Sequence, residues 1–125
     1  MKNIKQLGIW MDHSNAYLME LTNDTIVTNI VESEFVKQEN EYNLKYHENS
    51  FHNKEQQQLL SYYKKLSGSI RKYQEVVLFG PTDAKTELFN LLKGDHLFEN
   101  IKIEVRQSDQ MTEYQRHDFV REYFK

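Results

Sequence analysis

A chain of 125 residues has room for one domain and not for two. Its apolar content of 38% is low, but eight Tyr, seven Phe and one Trp carry enough surface to close a core, which argues against wholesale disorder. The formal charge of −3 excludes coating of nucleic acid by net charge alone, and the absence of Cys excludes disulfides, thiolate zinc sites and cysteine nucleophiles. No apolar run approaches the roughly 20 residues of a membrane span. The opening Met1-Lys2-Asn3-Ile4-Lys5-Gln6 lacks the long apolar stretch of a secretory signal, so the expectation is a soluble, cytoplasmic chain with no membrane partner.

Leu7, Ile9 and Met11 alternate with Gly8, Trp10 and Asp12, the period of a strand. Asp12-His13-Ser14-Asn15 suits a hairpin turn, and Ala16 to Leu21 predicts a second strand. Thr22-Asn23-Asp24 supplies another turn, because Asn and Asp tolerate left-handed backbone angles, and the β-branched run Thr25 to Val31 predicts a third strand. From Glu32 the composition turns acidic. Between Glu39 and Asn53 it is dominated by Asn, Glu, His and Tyr without an apolar period, which predicts a long mobile connection, placed at 36–53 within a single domain of 1–125.

From Asn53 to Tyr73 the spacing becomes helical, with Leu59, Tyr63, Leu66 and Ile70 on one stripe and Leu60 widening it. Gly68 weakens the last turn by roughly 1 kcal/mol relative to Ala. The continuous run Val76-Val77-Leu78-Phe79 marks a strand covered on both faces, as in a parallel sheet, and it stops at Gly80-Pro81. Thr82 and Asp83 start a helix whose buried side is Leu88, Phe89, Leu91 and Leu92, ending at Gly94-Asp95. Ile101, Ile103 and Val105 alternate as a fifth strand. The last helix opens on Thr112-Glu113-Tyr114-Gln115, a capping box, with Phe119, Val120, Tyr123 and Phe124 as its apolar positions. The order β-β-β-α-β-α-β-α predicts an α/β fold with a mixed five-stranded sheet and helices on both faces, the arrangement of a ribonuclease H-like sheet.

Several constellations are candidates for chemistry. Gly80, Pro81, Thr82 and Lys85 follow a strand and open a helix, as in a phosphate-binding loop, but the Walker spacing is one residue short, Ala84 stands where its second Gly belongs, and Pro81 removes a backbone donor. An anion could still dock at that helix start beside Lys85. Asp12, Asp83 and Asp109 sit just after strands, where a ribonuclease H-like nuclease places its metal-binding carboxylates and where Asp also caps turns ordinarily; His13 beside Asp12 suits acid-base work. His47 and His52 have no ligand spacing, and no metal or cofactor is expected. Lys64, Lys65, Arg71 and Lys72 make the predicted helix basic within an acidic chain, with Tyr62, Tyr63 and Tyr73 nearby as stacking candidates for bases.

Val76-Val77-Leu78-Phe79-Gly80-Pro81-Thr82-Asp83-Ala84-Lys85-Thr86-Glu87-Leu88, then Val105-Arg106-Gln107-Ser108-Asp109-Gln110-Met111-Thr112-Glu113-Tyr114-Gln115, together with the opening Gly8-Ile9-Trp10-Met11-Asp12-His13-Ser14-Asn15-Ala16, resemble the bacterial release-factor-like proteins. These are relatives of the middle domain shared by Pelota and the archaeal and eukaryotic class 1 release factors. The resemblance implies a ribonuclease H-like sheet of the translational-machinery type and work at the ribosome, in contact with ribosomal or transfer RNA. It does not imply peptidyl-tRNA hydrolysis, since the Gly-Gly-Gln loop of the true release factors is absent and the four glycines are Gly8, Gly68, Gly80 and Gly94.

The leading expectation is a non-catalytic ribosome- or RNA-binding domain with Lys85 and the cations Lys64, Lys65, Arg71 and Lys72 facing phosphate. A metal-dependent hydrolase or nuclease using Asp12, His13, Asp83 or Asp109 is the enzyme alternative. A protein-interaction module is the third, with the strand from Thr25 to Val31 as an open edge and a homo-oligomer as one outcome.

Overall fold

A computed structural model describes residues 4–23, 25–33 and 48–125, the last stretch with side chains from residue 56 onward. Five strands, β1 (Gln6–Met11), β2 (Asn15–Thr22), β3 (Thr25–Glu32), β4 (Glu75–Gly80) and β5 (Lys102–Gln107), form one sheet in the order β3-β2-β1-β4-β5. β1, β2 and β3 are an antiparallel meander, and β4 and β5 run parallel to β1. Among the described residues, three helices, α1 (Glu48–Ile70), α2 (Ala84–Lys93) and α3 (Glu113–Tyr123), pack with this sheet, with a short 3₁₀ turn, His96–Phe98, ahead of β5. This is the expected α/β fold, a mixed five-stranded sheet of ribonuclease H-like type.

The central strands read as the sequence implies. Leu7, Ile9 and Met11 of β1 and Val76 and Leu78 of β4 meet Tyr62, Tyr63, Leu66 and Ile70 of α1 and Ala84, Leu88 and Leu92 of α2 in one core. Trp10, Met19, Val77 and Phe79 point to the other face and pack with Val120 of α3 in a second. The three-layer arrangement follows from the alternation of side chains along each strand. Gly8 is the close approach: a Cβ there would lie 2.4 Å from Val120 Cγ2, so the absence of a side chain lets α3 settle onto β1.

Three expectations need correction. The helix begins at Glu48 rather than Asn53 and ends at Ile70 rather than Tyr73, so the last part of the expected connection is helical, and 34–47 lie outside the described residues. Leu60 and Leu91 do not join the core: they are 52% and 48% exposed, because Tyr62 and Leu92 take the inward positions of their turns. Asp83 occupies the N-cap position of α2 without a side-chain cap; Thr82 Oγ1 accepts from Ala84 N at 3.2 Å instead.

The turn after β2 does use a left-handed residue, Asn23 at φ 50. The capping box of α3 also forms, with Thr112 Oγ1 accepting from Gln115 N at 3.2 Å and Gln115 Oε1 accepting from Thr112 N at 2.9 Å. Thr112→Ala removes the first bond and is expected to cost about 1 kcal/mol, read as a lower melting temperature with the far-UV spectrum unchanged. No loss of stability would mean that the box is dispensable.

Candidate functional site

β1 and β4 are adjacent and parallel, and the chain leaves them in opposite directions, from β1 back to β2 and from β4 on to β5. In an open α/β sheet such a divergence opens a crevice beyond the carboxyl ends of the strands, where ligands usually bind. Asp12-His13-Ser14 leaves β1 on one side of it, and Pro81-Thr82-Asp83 leaves β4 on the other. Gly80 keeps these ends close. Its φ is +150, and a Cβ on it would stand 2.1 Å from the Met11 carbonyl oxygen.

Asp12 is committed to its own turn, since Oδ1 accepts from both Ser14 N and Asn15 N at 2.8 Å. Its carbonyl accepts from Tyr62 Oη at 2.9 Å, tying α1 to the end of β1. His13 Nε2 lies 3.2 Å from Glu87 Oε1, and the same oxygen accepts from Tyr63 Oη at 2.6 Å. Burial is the main cause that pushes both phenols well above the usual tyrosine range, followed by the Asp12 carboxylate for Tyr62 and the Glu87 hydrogen bond for Tyr63. Both tyrosines therefore stay protonated and act as donors. Beside Glu87 and Tyr63 a groove of about 420 Å³ runs between α1 and α2, with Leu59, Leu60 and Leu91 as its apolar walls.

Lys85 does not face this crevice as an anion site requires. It is 2% exposed, and Nζ donates to the Thr82 carbonyl, because the first turn of α2 packs inward between Ala84 and Leu88. Asp83 is exposed. Asp109 is exposed, and its carbonyl accepts from Trp10 Nε1 at 3.5 Å, next to the α3-face core. Among the described residues no three His, Asp or Glu side chains gather closely enough to hold a metal ion. Of the carboxylates in the hydrolase alternative, Asp12 is engaged in its turn and Asp83 and Asp109 are exposed.

The basic candidates fall at one end of α1. Lys64 and Lys65 are exposed on the helix, and Arg71 and Lys72 are exposed just beyond it. There the helix tightens from the i−4 bond of Arg71 N to Ser67 O into the i−3 bonds of Lys72 N to Ser69 O and Tyr73 N to Ile70 O. Tyr62 and Tyr63 are buried, and Tyr73 Oη donates to Glu20 at 2.7 Å, so none of the three offers a free ring and hydroxyl to a base. Burial and that carboxylate push the Tyr73 phenol up to about 12.

Sequence reasoning missed Glu87 and the roles of the two buried phenols. The readable signal was a Tyr-Tyr pair within a core stripe, since a buried phenol needs a partner. It also missed Arg116, whose guanidinium lies 3.9 Å from the centre of the Tyr17 ring and donates to Met111 O at 2.8 Å. At the opposite end of the sheet, a groove of about 360 Å³ carries Lys102, Arg106 and Lys125 together with Glu75 and Glu104. Its charges are largely paired: Arg106 reaches Glu104 at 2.7 Å, and Tyr123 also donates to Glu104, which holds that carboxyl below its ordinary value.

No family model and no curated protein match the chain. Among solved structures, the Pelota protein of Thermoplasma acidophilum superposes with a TM-score of 0.63 at 13% identity, over 94% of this chain and 32% of its own. Pelota of Archaeoglobus fulgidus gives 0.62 at 8% identity, over 97% of this chain and 32% of its own. An archaeal translation termination factor gives 0.52 at 13% identity, over 96% and 39% respectively. The chain thus spans about a third of the length of these proteins, and over nearly all of its own length it shares the fold of one part of Pelota and of an archaeal termination factor.

Proposed function

We propose that this chain is a non-catalytic, ribosome- or RNA-associated domain of the cytoplasm, of the release-factor-like group related to factors of translation termination and ribosome rescue. The observation that carries the reading is the superposition on Pelota over 94% of the chain, joined to the motif from Val76 to Leu88 in which a strand runs into Gly80-Pro81. The exposed cations Lys64, Lys65, Arg71 and Lys72 supply a phosphate-facing surface at one end of α1. Lys85 is left out of that surface because its amine is buried. The Asp12 carboxylate shapes its own turn, the Asp12 carbonyl accepts from Tyr62 and the Glu87 carboxylate accepts from Tyr63, structural uses that ask for no chemical step.

Co-sedimentation with ribosomes tests the proposal. Four phosphate contacts give a log-log salt slope of roughly −3 to −4, so binding should weaken about 50- to 150-fold between 50 and 200 mM salt. Lys64→Glu/Lys65→Glu should reduce binding at low salt by at least about tenfold and flatten the slope by roughly 1.5 to 2. A folded wild-type protein that stays at the top of the gradient at 50 mM salt overturns the reading. Binding indifferent to the charge reversal would move the surface elsewhere.

A further inference from the structure

Gly68 has no part in the packing of the fold. Gly8 and Gly80 each sit where a Cβ would strike a neighbour, the Val120 side chain or the Met11 carbonyl. At Gly68 a Cβ would meet nothing within 4 Å, and the residue lies within α1 without a positive φ. A glycine inside a helix weakens it and bares its backbone, and here no close approach within the chain offsets that loss. Residues that run against their own local structure mark places with another use.

On a helix surface the neighbours of a residue are those three and four positions away, and for Gly68 these are Lys64, Lys65, Arg71 and Lys72, all exposed. From Gln56 to Gln74 the chain holds no Asp or Glu. Leu66 and Ile70, the apolar residues of the same turns, are fully buried, so this face offers a protein partner no apolar anchor. The tightening of the helix adds an acceptor. Arg71 N bonds Ser67 O and Lys72 N bonds Ser69 O, so the carbonyl skipped between them, that of Gly68, has no hydrogen-bond donor among the described residues. Cations at the end of a helix also oppose its dipole, but that use needs neither a glycine nor an open carbonyl.

We propose that Gly68 is the contact point of α1 with RNA: a ribose-phosphate backbone crosses the helix there, the cations on either side meet its phosphates, and the Gly68 carbonyl accepts from a ribose 2′-hydroxyl. The contact rests on the reading of the chain as RNA-associated and adds the sugar to the phosphates. The 2′-hydroxyl is the donor that RNA has and DNA lacks, and the missing side chain lets it come within about 2.5–3.0 Å of the carbonyl oxygen. Lys64 and Arg71 are seven residues apart, about 10 Å along the axis, so the cations flank the contact and do not cover it.

The probes are an RNA duplex of about 20 base pairs and its 2′-fluoro counterpart, which keeps the phosphates and lacks the hydroxyl donor, with binding to the full chain read by fluorescence anisotropy at 50 mM salt. Wild type should prefer the RNA by about three- to tenfold, the worth of one hydrogen bond. Gly68→Leu should bind the RNA at least about tenfold more weakly and lose the preference, yet melt roughly 3–5 °C higher, because a good helix former enters open space. Affinity and stability then move in opposite directions, which a merely structural glycine would not produce. Lys64→Ala and Arg71→Ala should each flatten the log-log salt slope by roughly 0.7–0.9 and keep the preference for the hydroxyl. Equal binding of the two duplexes by wild type, or RNA binding unchanged in Gly68→Leu, overturns the inference and leaves the RNA-associated reading standing. Competition by polyglutamate as strong as by unlabelled RNA assigns the face to an acidic protein and also overturns it. Wild type that binds neither duplex overturns it as well, and co-sedimentation with ribosomes then decides the wider reading separately.

Discussion

Gly80→Ala is expected to cost about 3 kcal/mol or more and to lower the melting temperature by roughly 10 °C. Two terms add. A backbone angle of +150 is one that side-chain-bearing residues rarely adopt, and the new Cβ would stand 2.1 Å from the Met11 carbonyl oxygen. That oxygen belongs to the end of a central strand and cannot rotate away as a flexible side chain would. Relief requires the ends of β1 and β4 to separate, which strains the Asp12 turn and its bond from Tyr62. Thermal unfolding followed by circular dichroism measures the effect, and a melting temperature within about 2 °C of wild type would show that the close approach at Gly80 is not needed.

Phe79→Ala should be comparably severe, about 3–5 kcal/mol, because a large side chain with no exposure is removed from a packed core. Phe79 stacks on Phe119 with ring centres 4.1 Å apart and planes 19° from parallel. Phe119 in turn stacks on Tyr123, with ring centres 6.4 Å apart. Among the residues of α3, Val120 alone is fully buried, so the helix holds to the sheet by few contacts and the Phe79 ring is a large part of them. Hydrogen exchange should therefore accelerate first in the amides of 113–123. A double-mutant cycle with Phe119→Ala should return a coupling of roughly 0.5–1.5 kcal/mol, and a coupling near zero would mean that the two rings stack without stabilising each other.

Much of the fold was legible because the strands obey simple periods. The meander shows as one alternating run, one apolar run and a β-branched one, and the unbroken run from Val76 to Phe79 marks a strand buried on both faces, which the parallel pairing of β4 with β1 and β5 explains. The limits of α1 were not legible, since Glu48 to Lys54 carry no apolar period and the helical hydrogen bonds there follow from backbone geometry alone. Which leucines face solvent was also hidden. Leu60 and Leu91 satisfy a helical stripe on paper, yet the stripe is wider than the space between α1 and α2 can bury, and the surplus lines the groove between them.

The polar residues at the ends of β1 and β4 were legible in the sequence, and the contacts of their side chains were not. Asp12, His13 and Asp83 were found because the ends of strands are where polar residues cluster, but chain position alone does not separate a turn-forming carboxylate from a catalytic one. The bonds from Ser14 N and Asn15 N show the turn-forming use of the Asp12 carboxylate. Lys85 was misplaced for a similar reason: a Lys early in a helix reads as exposed, and only the packing of α2 turns it toward the Thr82 carbonyl.

The placement of β1 at the centre of the sheet has a kinetic consequence. Its antiparallel partner β2 arrives within a few residues, whereas its parallel partner starts 69 residues later, as the pair Gln6 and Glu75 shows. Closing so long a loop is entropically costly and makes local pairing precede distant pairing. At ~5–20 residues per second, a nascent chain spends roughly 3–14 s with one edge of β1 bare. The strand in question is buried from Leu7 to Met11 in the finished molecule, as its partner β4 is from Val76 to Gly80. The meander can therefore assemble early, but folding of the domain is committed only when Gly80 has left the exit tunnel and β4 closes over that edge.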